Sequence, residues 1–248
     1  MSAASSDVGD LFSRFGIADR LSLRGAGQLA DLVDLIATDE HAPTTVREPD
    51  EVWQVHIADS LSGVGAVVDS LGDAIDGARI ADLGAGAGFP GLVLAIALPE
   101  IHVTLVESVG KKCMFMDRMI EQLEIDNART FNGRAEELAA SRPPAGGREA
   151  FGVVTARALS SLPALLELSS PLLADGGTMV AWRGARDEAE EADAVATGAK
   201  TAMVAVDVEP VTPYPGSKNR HIHRWRKQGE TPAGLPRRPG QAQKRPLG

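Results

Sequence analysis

Apolar residues recur at two different periods along this chain, and the change of period divides it. From about Asp10 to Leu71 they fall at helical spacing, as in Leu29, Leu32, Val33, Leu35 and Ile36, with an interruption at a Pro43 and Pro49 loop. From Arg79 to about Arg226, short β-branched runs alternate with helical stretches, which predicts a parallel sheet covered by helices on both faces. The expected strands are 79–83, 102–107, 128–131, 152–155, 178–182, 203–208 and 221–226. Helices are expected to begin near Pro90, Gly110, Glu136, Pro163 and Asp187; Pro90 and Pro163 suit a first helical turn, where no N–H is needed. The pattern therefore predicts an α/β fold, a doubly wound, Rossmann-like seven-stranded domain over residues 76–227. A helical N-terminal extension, 1–75, is expected to pack on it. Residues 228–248 are rich in proline and glycine and hold few apolar side chains besides Leu235 and Leu247, so a flexible tail is expected there.

Composition narrows the setting. Apolar residues make up 44% and charged residues 24%, which is globular rather than disordered. The longest apolar run, Leu92 to Leu98, falls far short of the roughly 20 residues that span a bilayer, so no membrane association is expected. With a single cysteine, Cys113, no intrachain disulfide can form, and the first residues show neither a basic nor an apolar leader; both point to the cytoplasm. Charge is split unevenly. From Lys218 onward nine Lys or Arg face one acid, Glu230, whereas the preceding 217 residues hold 16 basic and 33 acidic side chains. The basic end, with Arg220, Arg224, Arg226, Lys227, Arg237, Arg238, Lys244 and Arg245, suits a nucleic-acid backbone. His221 and His223 have no carboxylate or cysteine at ligand spacing, so no metal is expected.

The sharpest motif is Asp82-Leu-Gly84-Ala-Gly86-Ala-Gly88-Phe89-Pro-Gly91, set between an expected strand and an expected helix. Gly86, Gly88 and Gly91 spell the dinucleotide fingerprint, and a nicotinamide-dependent, NAD(P)-linked oxidoreductase is one reading of it. Asp82 turns the reading toward S-adenosylmethionine: with Gly84, Gly86 and Gly88 it resembles the D-x-G-x-G-x-G loop of class I methyltransferases, in which that acid faces the amino group of the cofactor's methionine part, and a carboxylate there suits an ammonium group and repels a pyrophosphate. Glu107, closing the next strand, can accept hydrogen bonds from both ribose hydroxyls of either ligand. Arg157 ends the fourth strand, at the sheet edge where open α/β folds bind ligands; it could meet a cofactor carboxylate, an RNA phosphate, or a neighbouring acid such as Glu107 or Asp82.

At these residues the chain resembles the small-subunit ribosomal RNA methyltransferase G (GidB) family. Thr45-Val-Arg-Glu-Pro, His56-Ile-Ala-Asp59-Ser60-Leu, the glycine loop with Phe89-Pro-Gly, Glu107-Ser-Val-Gly-Lys111-Lys112, Gly133-Arg134-Ala135-Glu136-Glu137 and Val154-Thr-Ala-Arg157-Ala carry the resemblance in order. It departs at Ala42-Pro43, at Val55 where members often carry Arg, and at Arg183 in place of Lys. The resemblance implies an S-adenosylmethionine cofactor contacted by Gly84, Phe89, Ala135, Glu136 and Arg157, with Glu107 on the ribose; Asp82 and Gly86 join the expected cofactor set from the glycine loop. It also implies methyl transfer to N7 of a guanine in small-subunit ribosomal RNA; whether that RNA is naked or in the small ribosomal subunit stays open, and a monomer is expected. No catalytic residue is assigned, since the acceptor lone pair carries no proton that must leave first. The place after the fourth strand reads Thr155-Ala-Arg157-Ala, without the Pro-Pro turn of amino-group methyltransferases, and Cys113 lies among apolar helix residues rather than as a nucleophile. Base stacking could rest on Trp53, Phe89 or Trp182. A non-catalytic RNA-binding assembly factor with a vestigial pocket remains the other alternative.

Overall fold

A computed structural model describes residues 22–247 together with Ser13, Phe15 and Arg20. The strands are β1 (Arg79–Leu83), β2 (His102–Glu107), β3 (Ala128–Asn132), β4 (Phe151–Arg157), β5 (Leu173–Arg183), β6 (Met203–Val211) and β7 (Arg220–Lys227). They form one sheet in the order β3-β2-β1-β4-β5-β7-β6. Successive residues point to opposite faces: Ile80 and Val153 enter one apolar cluster, Ala81 and Val154 the other. Both faces are covered, which is why β1 and β4 are buried along almost their whole length.

The parallel expectation fails at one strand. β1 to β5 pair in parallel, but β7 runs antiparallel to both β5 and β6. Only residues 212–219 join β6 to β7, too few for the crossover of about a dozen residues that parallel neighbours need.

One face of the sheet is covered by α1 (Leu23–Thr38), a helical run from Pro49 to Leu61, α2 (Val64–Leu71), α3 (Gly91–Ala97) and α4 (Gly110–Gln122). Pro49 is not in a loop, as the sequence suggested, but opens that run as its first residue, where its missing N–H costs nothing. The run passes through a π-helical turn, Trp53–Ala58, before ending at Asp59–Leu61. Cys113 is buried on α4, its thiol donating to the Glu107 carbonyl. The other face carries α5 (Ala135–Leu138), α6 (Leu162–Ser169), α7 (Glu188–Thr201) and, from the C-terminal segment, α8 (Gln241–Lys244).

That C-terminal segment is docked, against the expectation of a flexible tail. Leu235 and Ala242 are buried, and Arg148 donates to the Leu235 carbonyl (2.9 Å). The physical reason lies in α6. Every residue of that helix is buried, including Glu167, whose carboxylate is met by the Arg237 fork at 2.5 Å on each oxygen. Left unpaired, such a buried charge costs about 3–5 kcal/mol.

Candidate active site at the carboxyl ends of β1, β2 and β4

Strand order reverses between β1 and β4, and the crevice beyond their carboxyl ends is where such sheets bind ligands. The Gly84–Pro90 loop lies there. Gly84 has φ +65°, and a Cβ on it would stand 2.4 Å from Leu159 Cδ1. A Cβ on Gly91 would meet Leu105 at 2.2 Å and the Asp82 carboxylate at 2.8 Å. Glycine is needed at both, for backbone conformation at the first and for close packing at the second.

Asp82 does not face the crevice. It is fully buried, its carboxylate accepting from Thr155 Oγ1 (2.8 Å) and from the Gly91 N–H (3.0 Å). Burial pushes its pKa up to about 7 despite those two donors. The expected contact with an amino group is therefore replaced by a role beneath the loop, tying it to β1 and β4.

Two cavities open above the loop and share Gly84 and Ala158. The first, about 250 Å³, is lined by Glu107, Lys112, Ala135, Glu136 and Gln243 among others. Glu107 holds its place by accepting from the Gly86 N–H (3.2 Å) and the Val109 N–H (2.9 Å), with Lys112 Nζ 3.9 Å away. Glu136, at the start of α5, accepts from the Gly240 N–H at 2.7 Å.

The second cavity, about 310 Å³, is lined by Thr44, His56, Asp59, Phe89, Arg157 and Arg220 among others. Arg157 Nη1 donates to Asp59 (2.9 Å) and to the Val55 carbonyl (2.9 Å), and its guanidinium lies 5.4 Å over the Phe89 ring. Its acidic partner is thus Asp59 of the N-terminal helical run, not Glu107 or Asp82. His56 stacks on Phe89 with ring centroids 4.6 Å apart. Burial, and then the Arg157 charge, pushes the His56 pKa down to about 4, so the ring is neutral at pH 7. Since Arg157 can only donate, the His56 Nδ1 facing it at 3.3 Å accepts, and Nε2–H donates to Thr44 Oγ1 at 2.9 Å.

Of the sequence-assigned residues, Gly84, Glu107, Ala135 and Glu136 line the first cavity, Gly84, Gly86, Phe89 and Arg157 the second, and Asp82 neither. Thr44, His56, Asp59 and Gln243 had no role assigned. His56 and Asp59 stand three apart in a helical run, a spacing that puts them on one face and could have drawn notice. Gln243 carried no local signal. Trp182 is buried with its indole N–H donated to the Asp59 carbonyl, so it is not a stacking surface. The basic end is partly consumed inside the protein: Lys227 is fully buried against Glu149, Arg224 pairs with Asp207 and Arg237 with Glu167. Arg226, Arg238, Lys244 and Arg245 remain exposed.

Known proteins resemble this arrangement. Residues 27–221 match the family model described as rRNA small subunit methyltransferase G (GidB). "Ribosomal RNA small subunit methyltransferase G" of Desulfitobacterium hafniense is 35% identical over 82% of this chain and 81% of its own. The same-named protein of Pseudothermotoga lettingae is 33% identical over 97% and 99%. Among solved structures, a mutant of MtNAS in complex with S-adenosylmethionine shares the fold with a TM-score of 0.55, at 14% identity over 82% of this chain and 74% of that one. With a match of this length and these relatives, the chain belongs to the rRNA small subunit methyltransferase G family.

Proposed function

We propose that the protein is an S-adenosylmethionine-dependent methyltransferase acting on N7 of a guanine in small-subunit ribosomal RNA. The observation that carries the cofactor is the pair of joined cavities, a Glu107 carboxylate in one and an Arg157–Phe89–His56 cluster in the other, with Gly84 between them. The site fits that cofactor rather than a dinucleotide. Two N–H groups of the glycine turn that a pyrophosphate would use, those of Gly86 and Gly91, are already donated to Glu107 and Asp82.

In this reading Glu107 accepts from the ribose hydroxyls, Ala135 and Glu136 border the base, and Gly84, Gly86 and Phe89 form the floor beneath the methionine part. The bound cofactor supplies an electrophilic methyl group. The chain's own work is placement, since a neutral purine N7 needs no base to attack; holding the two reactants in line contributes several kcal/mol, of the order of effective-molarity effects. Arg157 and Asp59 fix each other, and neutral His56 keeps added positive charge out of a cavity where the purine becomes cationic. Arg220, near Asp59, and the exposed Arg226, Arg238, Lys244 and Arg245 would meet phosphates. The protein works in the cytoplasm as a monomer on this reading.

The test is incubation with methyl-labelled S-adenosylmethionine and either naked small-subunit RNA or unmodified small subunits, followed by nucleoside mass spectrometry. Label in 7-methylguanosine is expected. Label in another nucleoside would discard the acceptor, and cofactor binding without transfer would leave an assembly factor.

A further inference from the structure

We propose that the C-terminal segment completes the nucleoside end of the cofactor site, with Gln243 contacting the base edge; this rests on the cofactor reading above. The cavity that holds Glu107 and Glu136 is otherwise lined by residues 83–168, and Gln243 reaches it from the far end of the chain. Its position is fixed at successive points. Arg148 holds the Leu235 carbonyl, Arg237 forks onto buried Glu167, the Gly240 N–H is given to Glu136, and Ala242 is buried. Gly240 has φ +78°, a conformation that glycine adopts without strain and that turns its N–H toward Glu136. One residue of the cofactor set is thereby bonded directly to the segment.

The Gln243 side chain has no hydrogen-bond partner among the described residues. A carboxamide offers one acceptor and two donors, the complement of an adenine edge with its 6-amino donor and N1 acceptor. The neighbouring Glu107 and Glu136 only accept, and beside the charged donors Lys112 and Arg134 the Gln243 carboxamide adds a neutral donor for a ring nitrogen. Read from composition alone, residues 228–248 belonged to RNA; in this proposal Gln243 of their last helix serves the cofactor, while Lys244 beside it stays with the RNA.

Calorimetric titration of the full chain with S-adenosylhomocysteine tests this, comparing wild type with Gln243→Ala. Loss of a contact of this kind should weaken binding about 5- to 10-fold. Competition with adenosine and with purine riboside, which lacks the 6-amino group, reads the base edge directly, and the preference for adenosine should narrow in Gln243→Ala. Arg237→Gln should weaken binding too, with faster tryptic cleavage after Arg238. If that variant does not fold, Gln243→Ala still decides, because its exposed side chain supports nothing else. Unchanged affinity and unchanged nucleoside preference in Gln243→Ala would overturn the proposal, as would a loss confined to RNA binding. A wild-type protein that binds no S-adenosylhomocysteine would instead sink the cofactor reading itself.

Discussion

The two cavities that meet at Gly84 and Ala158 are built from different materials. The first is bounded by carboxylates, Glu107 and Glu136, each held by a backbone N–H of a neighbouring loop. The second is bounded by two guanidiniums around Asp59 and an aromatic stack, held, apart from the Arg157 bond to the Val55 carbonyl, by side chain to side chain contacts across three elements. A wall tied to backbone stays put when one side chain changes. A wall made of mutually dependent side chains fails together, so the second cavity is expected to be the more fragile half.

Removing Arg157 tests that fragility most severely. Among the described residues, Arg157→Ala leaves the Asp59 carboxylate with only Arg220 at 3.9 Å, and the loss should approach about 3 kcal/mol of unfolding free energy by urea titration. Arg157→Ala is expected to cost S-adenosylhomocysteine affinity less than it costs methyl transfer. Gly84→Val strikes both halves at their join. With φ +65° and a collision against Leu159, it should weaken cofactor binding by about a hundredfold, measured by calorimetry, while far-ultraviolet dichroism stays native.

Glu107→Gln sharpens the contrast from the other side. It keeps shape but removes the charge that strengthens its hydrogen bonds, so binding should weaken about tenfold with thermal stability little changed. Equal losses of stability in Glu107→Gln and Arg157→Ala would erase the distinction between the halves.

The smallest effects are in pH dependence, and the two halves pull in opposite directions. His56 has a folded pKa of about 4 against its ordinary 6.5, so the unfolded chain takes the proton first and stability falls as pH drops through that window. Asp82, under the first cavity's loop, has a folded value of about 7 against 3.8, so the folded state keeps a proton the unfolded chain has lost. Its contribution is lost as pH rises from about 4 to 7. Asp82→Asn, whose amide can still serve Gly91 and Thr155, should leave a stability profile falling only toward acid when thermal unfolding is followed from pH 4 to 8.

What the sequence disclosed follows the range of the interactions. β1 and β2 run over the residues read from their apolar pattern, and the glycine loop sits where strand and helix patterns meet, because these depend on neighbours in the chain. β5 was read as starting at Thr178; in the structure the strand begins at Leu173, running through Asp175-Gly-Gly, and bulges there, with Phe151 facing Leu173 but Val153 facing Thr178. Asp82 was misread for a related reason. Sequence places a carboxylate at a strand end but not the direction of its side chain, and here Thr155, 73 residues away, decides it. The docked C-terminal segment was invisible because prolines and glycines hide how few contacts suffice, when one of them neutralises a buried acid.

That acid carries a consequence for how this protein can change over generations. Losing Arg237 alone strands the Glu167 charge in the core, and losing Glu167 alone leaves a guanidinium at the edge of an apolar helix, whereas an apolar pair of similar volume at both positions would be tolerated. Positions 167 and 237 should therefore vary as a pair among homologous sequences, with single replacements rare and double replacements found together.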